Sequence, residues 1–276
     1  MTSAGPPDIL LRIVAKRRQR YGLAPGEHDL AGAPDAAAAE ASAPAVAGAS
    51  SGPANPFLAA LAARRGRAII AEVKLGSPRL GSLAGTFDPE AHARSYAENG
   101  AAALSVVVEP DSFFGSYELL ARCRAASGLP AIAKDFVVSV RQIAEAKAAG
   151  ADAVLLIASL YDPETLRRFA GAARRLGLAP LIETHDRADV EKLAGGAWEL
   201  VGVNNRDLRT FLVNLSHSIS LVPQLPAGAL KVAESGLHTA ADIGRLRQAG
   251  FDAFLIGESL VSSRNPGMKL RELMER

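Results

Sequence analysis

Ser139-Val-Arg-Gln-Ile-Ala-Glu-Ala-Lys-Ala-Ala-Gly-Ala-Asp-Ala-Val-Leu-Leu-Ile157 decides the fold. Residues 139–149 follow a helical period, Gly150 sits where a left-handed cap ends such a helix, and Ala153–Ile157 is a continuous apolar run. Gly250-Phe-Asp-Ala-Phe-Leu-Ile256 repeats the same helix-to-strand turn. Continuous apolar runs, as opposed to alternating ones, mark parallel strands covered on both faces. Working outward, the same kind of run recurs at Ala68–Val73, Ala103–Val108, Ala131–Ala133, Pro180–Ile182, Leu200–Val203 and Leu230–Ala233. Helical patterns separate them, among them Pro89–Asn99, Tyr117–Ala126, Asp162–Leu176, Arg187–Leu193 and Ala240–Ala249. Eight units in alternation predict a closed (β/α)8 TIM barrel over residues 67–276. An open doubly wound sheet more often has about five or six strands.

Residues 1–66 read as an N-terminal helical extension. Ile9, Leu10, Ile13 and Val14 fall at helical spacing and are followed by Lys16, Arg17, Arg18 and Arg20, a basic end that suits the helix dipole. Residues 32–56 are mostly Ala, Ser, Pro and Gly, too small to build a core, and predict a flexible linker. Asn55–Arg65 predicts a second short helix.

Composition removes several classes. A chain of 276 residues buries enough surface to need no disulfide or metal staple. Its one cysteine, Cys123, excludes an internal disulfide and a cysteine-based zinc site. A net charge of +2 gives no case for nucleic acid. No run reaches membrane-spanning length, and the N-terminus lacks the apolar core of a signal peptide. The expectation is a cytoplasmic protein, off the membrane. Of the 31 basic residues 24 are Arg and only 7 are Lys, so each lysine stands out.

Barrel enzymes place their chemistry at the C-terminal ends of the strands. Here those ends carry Glu72 and Lys74, Glu109, Lys134-Asp135-Phe136, Glu183, Asn204-Asn205-Arg206-Asp207, Glu234-Ser235-Gly236 and Gly257-Glu258-Ser259. Only the fourth, Ile157-Ala158-Ser159, lacks an ionisable group. Polar strand ends are ordinary, but glutamates and lysines concentrated on strands one, three, five and seven share one side-chain layer. Lysine, unlike arginine, can give up a proton, and burial readily lowers its pKa. Lys134 and Lys74 are therefore candidate acids, or members of buried ion pairs with carboxylates; Lys74 equally suits a substrate anion. The small-residue turns Glu234-Ser-Gly236 and Gly257-Glu-Ser259 fall where many barrels bind phosphate. The segment Leu75–Thr86 reads as a long loop able to close over a substrate.

Seven stretches in order resemble the indole-3-glycerol phosphate synthase family of tryptophan biosynthesis. They are Ala71-Glu-Val-Lys74 with Ser77-Pro78, Phe113 with Gly115-Ser116, Lys134-Asp-Phe136, Leu181-Ile-Glu183, Gly202-Val-Asn-Asn-Arg-Asp-Leu208, Val232-Ala-Glu-Ser-Gly236 and Phe254-Leu-Ile-Gly-Glu258. The resemblance, from about Asn55 to Met268, implies a carboxy-lyase acting on 1-(2-carboxyphenylamino)-1-deoxyribulose 5-phosphate with no metal or organic cofactor. By resemblance Lys134 is the acid for ring closure and Glu183 the acid for dehydration. Glu72 orients Lys134 or serves as base, Lys74 binds the substrate carboxylate, Asn204 the sugar-derived hydroxyls, and Glu234 supports Lys134 or the anilino nitrogen. Ser235, Gly236, Gly257 and Glu258, with Lys74, are expected at the phosphate. Ser77, Phe113, Phe136, Leu155, Arg206 and Leu208 are expected at the aryl pocket and its loop, although core packing explains the two phenylalanines as well.

The family's loop usually reads Lys-[Lys/Arg]-x-Ser-Pro-Ser-[Lys/Arg]-Gly. This chain has Lys74-Leu-Gly-Ser-Pro-Arg-Leu-Gly81. Two cations are lost and one is gained at a shifted place, which admits a non-catalytic paralogue as an alternative. A sugar-phosphate isomerase on the same barrel is another, but it needs fewer cations. The long linker predicts loose coupling of the first helix to the barrel. The expected partner is a phosphorylated small molecule, and the expected assembly a monomer or weak homo-oligomer. Closely spaced lysines and glutamates predict coupled titration and a bell-shaped rate profile.

Overall fold

In the computed structural model, residues 8–35, 38–39, 55–78, 81–207 and 212–275 are described. Eight parallel strands close on themselves: β1 (Ala68–Val73), β2 (Ala103–Val107), β3 (Ala131–Lys134), β4 (Ala153–Ile157), β5 (Ala179–Thr184), β6 (Leu200–Asn204), β7 (Leu230–Glu234) and β8 (Ala253–Ile256). Each pairs with the next in sequence, and β8 pairs with β1. The expected (β/α)8 barrel is the observed fold.

Two hydrophobic shells follow from the period of two along each strand. Ile70, Ala103, Ile132, Leu155, Leu181, Leu200, Val232 and Leu255 fill the barrel, plugged from below by Phe57 and Leu61 of helix α2 (Pro56–Ala62). Their strand neighbours, among them Ile69, Leu104, Val154, Ile182, Val201 and Phe254, pack outward under the helices. These helices include α3 (Pro89–Glu98), α4 (Tyr117–Ser127), α5 (Val140–Ala148), α6 (Pro163–Arg175), α7 (Arg187–Glu191), α8 (Leu215–Leu221), α9 (Ala240–Ala249), α10 (Glu258–Val261) and α11 (Pro266–Met274).

The repeated Gly-x-Asp turn has a function at the bottom rim. Asp152 accepts from the Ala131 amide at 3.0 Å, and Asp252 from the Lys231 amide at 2.9 Å. Each aspartate thereby ties its own strand to the start of the preceding one. Arg124 and Arg65 pair with these carboxylates at 3.1 and 2.6 Å.

Helix α1 (Asp8–Arg20) precedes the barrel and lies across its top near β3. Leu10 and Val14 pack on Val138, Phe136 and Leu160. Arg17 and Asp135, both buried, form an ion pair. Arg20 binds Asp111 through two 2.9 Å hydrogen bonds. The expected loose coupling of this helix is not observed, because a buried charge pair fixes it to the residue next to Lys134. Within the segment read as a linker, buried Pro34 and Ala39 lie where a Cβ on Gly171 of α6 would collide with them. Residues 40–54 of that segment lie outside the described residues.

The segment Leu75–Thr86, read as a loop, contains a small antiparallel ladder of Gly76–Ser77 against Gly81–Ser82. It extends through the Leu83 amide, which donates to the Leu75 carbonyl at 2.7 Å. Leu75, which replaces a family cation, packs partly buried against the core. Arg79 and Leu80 lie outside the described residues.

Candidate active site

The inward face of each strand ends in a side chain aimed over the barrel top. On β1, β3, β5 and β7 these are Glu72, Lys134, Glu183 and Glu234, and they form one connected layer. Lys134 Nζ lies 3.2 Å from Glu234 Oε2 and 3.5 Å from Glu72 Oε2. Lys74 Nζ lies 3.1 Å from Glu72 Oε1, so one carboxylate bridges both lysines. Glu183 and Glu234, both buried, are close enough to act on each other's ionisation.

Glycine makes this layer fit. Gly202 on β6 stands between the strands that carry Glu183 and Glu234, and a Cβ there would collide with Glu234 Oε1. Gly257 does the same for Glu72, whose Oε1 occupies the space a Cβ would need. The expectation for Gly257 was phosphate binding; its first observed duty is to make room for a carboxylate.

The layer floors a cavity of roughly 210 Å³. Of the described residues expected in the site, Glu72, Lys74, Ser77, Phe113, Lys134, Phe136, Leu155, Glu183, Asn204, Arg206, Ser235, Gly236, Gly257 and Glu258 line it, whereas Glu234 is fully buried behind Lys134 and does not. Leu208 lies outside the described residues. Phe113 and Phe136 face each other with ring centroids 6.1 Å apart. Glu109, expected at the rim, is buried and accepts from the amides of Asp111, Ser112 and Phe113, which shapes the turn bearing Phe113.

The turn after β7 puts two successive residues in the left-handed region, Ser235 (φ 67°) and Gly236 (φ 73°). Asn205 holds it by donating from Nδ2 to the carbonyls of Glu234 and Ser235, both at 2.9 Å. Turns of this kind form backbone concavities suited to anions. Ser259 Oγ donates to the Leu237 carbonyl at 2.9 Å and ties this turn to the next loop. Arg206 pairs with Glu258 at 2.8 Å, so the Glu258 carboxylate faces a cation.

The family profile described as "Indole-3-glycerol phosphate synthase" matches residues 34–273. The chain belongs to the indole-3-glycerol phosphate synthase family. A relative of that name from Koribacter versatilis is 45% identical over 212 residues, covering 77% of this chain and 82% of its own. Another from Albidiferax ferrireducens is 40% identical over 272 residues, covering 96% and 98%. Among solved structures, 3-hexulose-6-phosphate synthase from Salmonella typhimurium has a TM-score of 0.60 at 11% identity, covering 75% of this chain and 96% of that one. At that identity the likeness is one of fold alone.

For a synthase of this family the electrostatics differ from the expectation in two respects. Burial opposes the charge on Lys134, but Glu234, Glu72 and Glu183 outweigh it and raise the pKa above that of an ordinary lysine. The anticipated lowering by burial is reversed by three carboxylates. Burial likewise opposes ionisation of Glu183, yet His185 and Lys134 push its pKa down to about 2. The expected dehydration acid is thus an anion in the free site. The proton sits on Glu234, which burial and the neighbouring Glu183 charge raise to about 8 against the pull of Lys134. Lys74 and Lys134 hold Glu72 below the usual carboxylate range in spite of its burial.

Four features escaped sequence reasoning: His185 behind Glu183, Gly202 beneath the carboxylate pair, the Arg17–Asp135 clamp, and Ile9, Leu10 and Ile13 of α1 on the cavity wall. A helix with Ile9 and Ile13 one turn apart carried a signal, but the sequence did not say which surface would cover that face. Among the described residues, no group of three or more His, Cys, Asp or Glu is arranged to hold a metal ion. Nor is any helix there long and apolar enough to cross a membrane.

Proposed function

We propose that the cavity closes the indole ring of 1-(2-carboxyphenylamino)-1-deoxyribulose 5-phosphate and yields indole-3-glycerol phosphate, CO2 and water. Membership of the family makes the chain a carboxy-lyase of tryptophan biosynthesis. The observation that carries the residue roles is the single connected layer of Glu72, Lys74, Lys134, Glu183 and Glu234 at one barrel rim.

The aromatic carbon bearing the carboxylate attacks the ketone carbon. Lys134 gives its proton to the ketone oxygen, and the three carboxylates around it fix the ammonium in place beforehand. The carboxylate then leaves as neutral CO2, its bonding electrons restoring the aromatic ring. One proton is therefore drawn from solvent per turnover, and it recharges Lys134. Lys74 binds the departing carboxylate until it is lost. Phe113, Phe136 and Leu155, with the α1 residues on the cavity wall, hold the aryl ring.

Dehydration needs an acid on the leaving hydroxyl and a base for the proton on the adjacent ring carbon. Glu183 acts as the acid after receiving the proton stored on Glu234, and Glu72 takes the ring proton and returns it to Glu234 through Lys134, which lies between them. Asn204 binds the glycerol hydroxyls. The Ser235–Gly236 turn and the Gly257 loop hold the phosphate through backbone amides. The protein is cytoplasmic, and a monomer or weak homo-oligomer.

The test is product formation, followed by indole fluorescence, in the unaltered protein and Lys134→Met. The expected outcome is turnover by the former and a loss of at least about a thousand-fold by the latter, within the range typical of removing an acid from a site. No turnover by folded unaltered protein, or near-normal turnover by the variant, would overturn the reading.

A further inference from the structure

His185 packs against the reacting carboxylate Glu183 from outside the cavity. It follows β5 two residues after Glu183, so both side chains leave the strand on the same side. Its Nε2 lies 3.2 Å from Glu183 Oε1, and its Nδ1 lies 3.6 Å from Asp189 Oδ2. Neither contact is aligned as a hydrogen bond, and the ring lies between two carboxylates.

The surroundings fix the residue tightly. Asp189 accepts from the His185 backbone amide at 3.1 Å, and His217 Nε2 lies 2.7 Å from the His185 carbonyl. Asp189 itself is buried at the start of α7, where Lys192 pairs with it at 3.2 Å. Lys192 also donates to the Ala158 carbonyl at 2.8 Å, anchoring this assembly to the turn after β4. The charged and titratable groups around Glu183 and His185 are thus Lys134 on β3, Glu234 on β7, Asp189 and Lys192 at α7, and His217 on α8.

We propose that His185 is a positioning residue for the reaction: clamped by Asp189, it is the fixed cation that keeps Glu183 ionised and leaves Glu234 holding the pair's single proton. This rests on the reading in which Glu183 and Glu234 move that proton. Two flanking carboxylates support it by raising the imidazole to about 10 against the effect of burial. A cation that never enters the cavity has a specific use here. It makes Glu183 a strong acid once protonated, so the proton borrowed from Glu234 passes on to the leaving hydroxyl instead of staying.

The test has two parts. In the intact unaltered protein, ring nitrogen shifts from NMR should show a His185 imidazolium at pH 8. A neutral ring at that pH overturns the proposal without any variant. Second, His185→Gln removes the cation, so both carboxylates bind their shared proton more tightly. The alkaline limb of kcat/KM should move up by about 1–2 pH units, the usual effect of losing a neighbouring opposite charge, with kcat reduced and KM little changed. Uniform loss at every pH with the limb unmoved would mean a merely structural role and overturn the proposal. Glu183→Gln separates this inference from the reading beneath it. If Glu183→Gln is inactive while the His185 limb stays put, only the role of His185 fails. If Glu183→Gln is fully active, the proton-transfer reading fails.

Discussion

At the scale of single residues, the site turns on where one proton rests. Glu234 is raised to about 8 by burial and by Glu183, so below that pH it is neutral and above it the layer gains a negative charge. The substrate brings a carboxylate and a phosphate, and a further anion beside them repels both. The expected outcome is a kcat/KM that falls as pH rises through about 8; a profile flat from pH 6 to 9 would contradict the assignment. Gly202 gives a second outcome. A methyl group there meets buried Glu234 Oε1, which must move away. Gly202→Ala should cost about 1–3 kcal/mol in denaturant unfolding, as overpacking does. It should also weaken or abolish the alkaline limb, because the carboxylates no longer meet. The residue types at this layer were legible in the sequence, since scarce lysines stood at strand ends. Their protonation states were not. Those depend on which carboxylates converge on each ammonium, and convergence is a property of the closed barrel.

At the scale of elements, strands were easier to read than what joins them. Apolar runs such as Ala153–Ile157 match β4, because a strand covered on both faces has no other composition available. Short β3 and β6 extend one residue beyond their apolar runs, to Lys134 and Asn204, the very residues that enter the site. Helix α8, with Ser216, His217, Ser218 and Ser220 in seven residues, dilutes its apolar period and leaves no clear signal. Helix α1 was visible as a helix, but its attachment was not: Arg17 looked like one of several basic residues in a terminal turn. It is instead buried beside Asp135, which also accepts from Tyr117 Oη at 3.1 Å, Gln142 Nε2 at 2.9 Å and the Phe136 amide at 2.8 Å. Arg17→Ala should strip a buried carboxylate of its cation and destabilise the protein by about 3–5 kcal/mol in urea unfolding. A loss under about 1 kcal/mol would show that the pair is solvated in solution.

At the scale of the whole molecule, the barrel separates its duties by end. Aspartates and arginines at the bottom bind backbone amides and one another, as in Asp152 with Arg124. Lysines and glutamates at the top are held by charge around a cavity. This polarity was legible because the bottom turns repeat a Gly-x-Asp motif while each top end is different. The pairing of Arg17 with Asp135 spans 118 residues, and this bears on the order in which the chain assembles. Contacts so distant in sequence form late, since their loop-closure entropy must be met before they yield anything. The partner of Arg17 exists in its final place only once β3 is seated between β2 and β4. Refolding from urea should therefore restore far-UV circular dichroism first and catalytic turnover in a slower phase, with the first helix in the chain among the last to arrive.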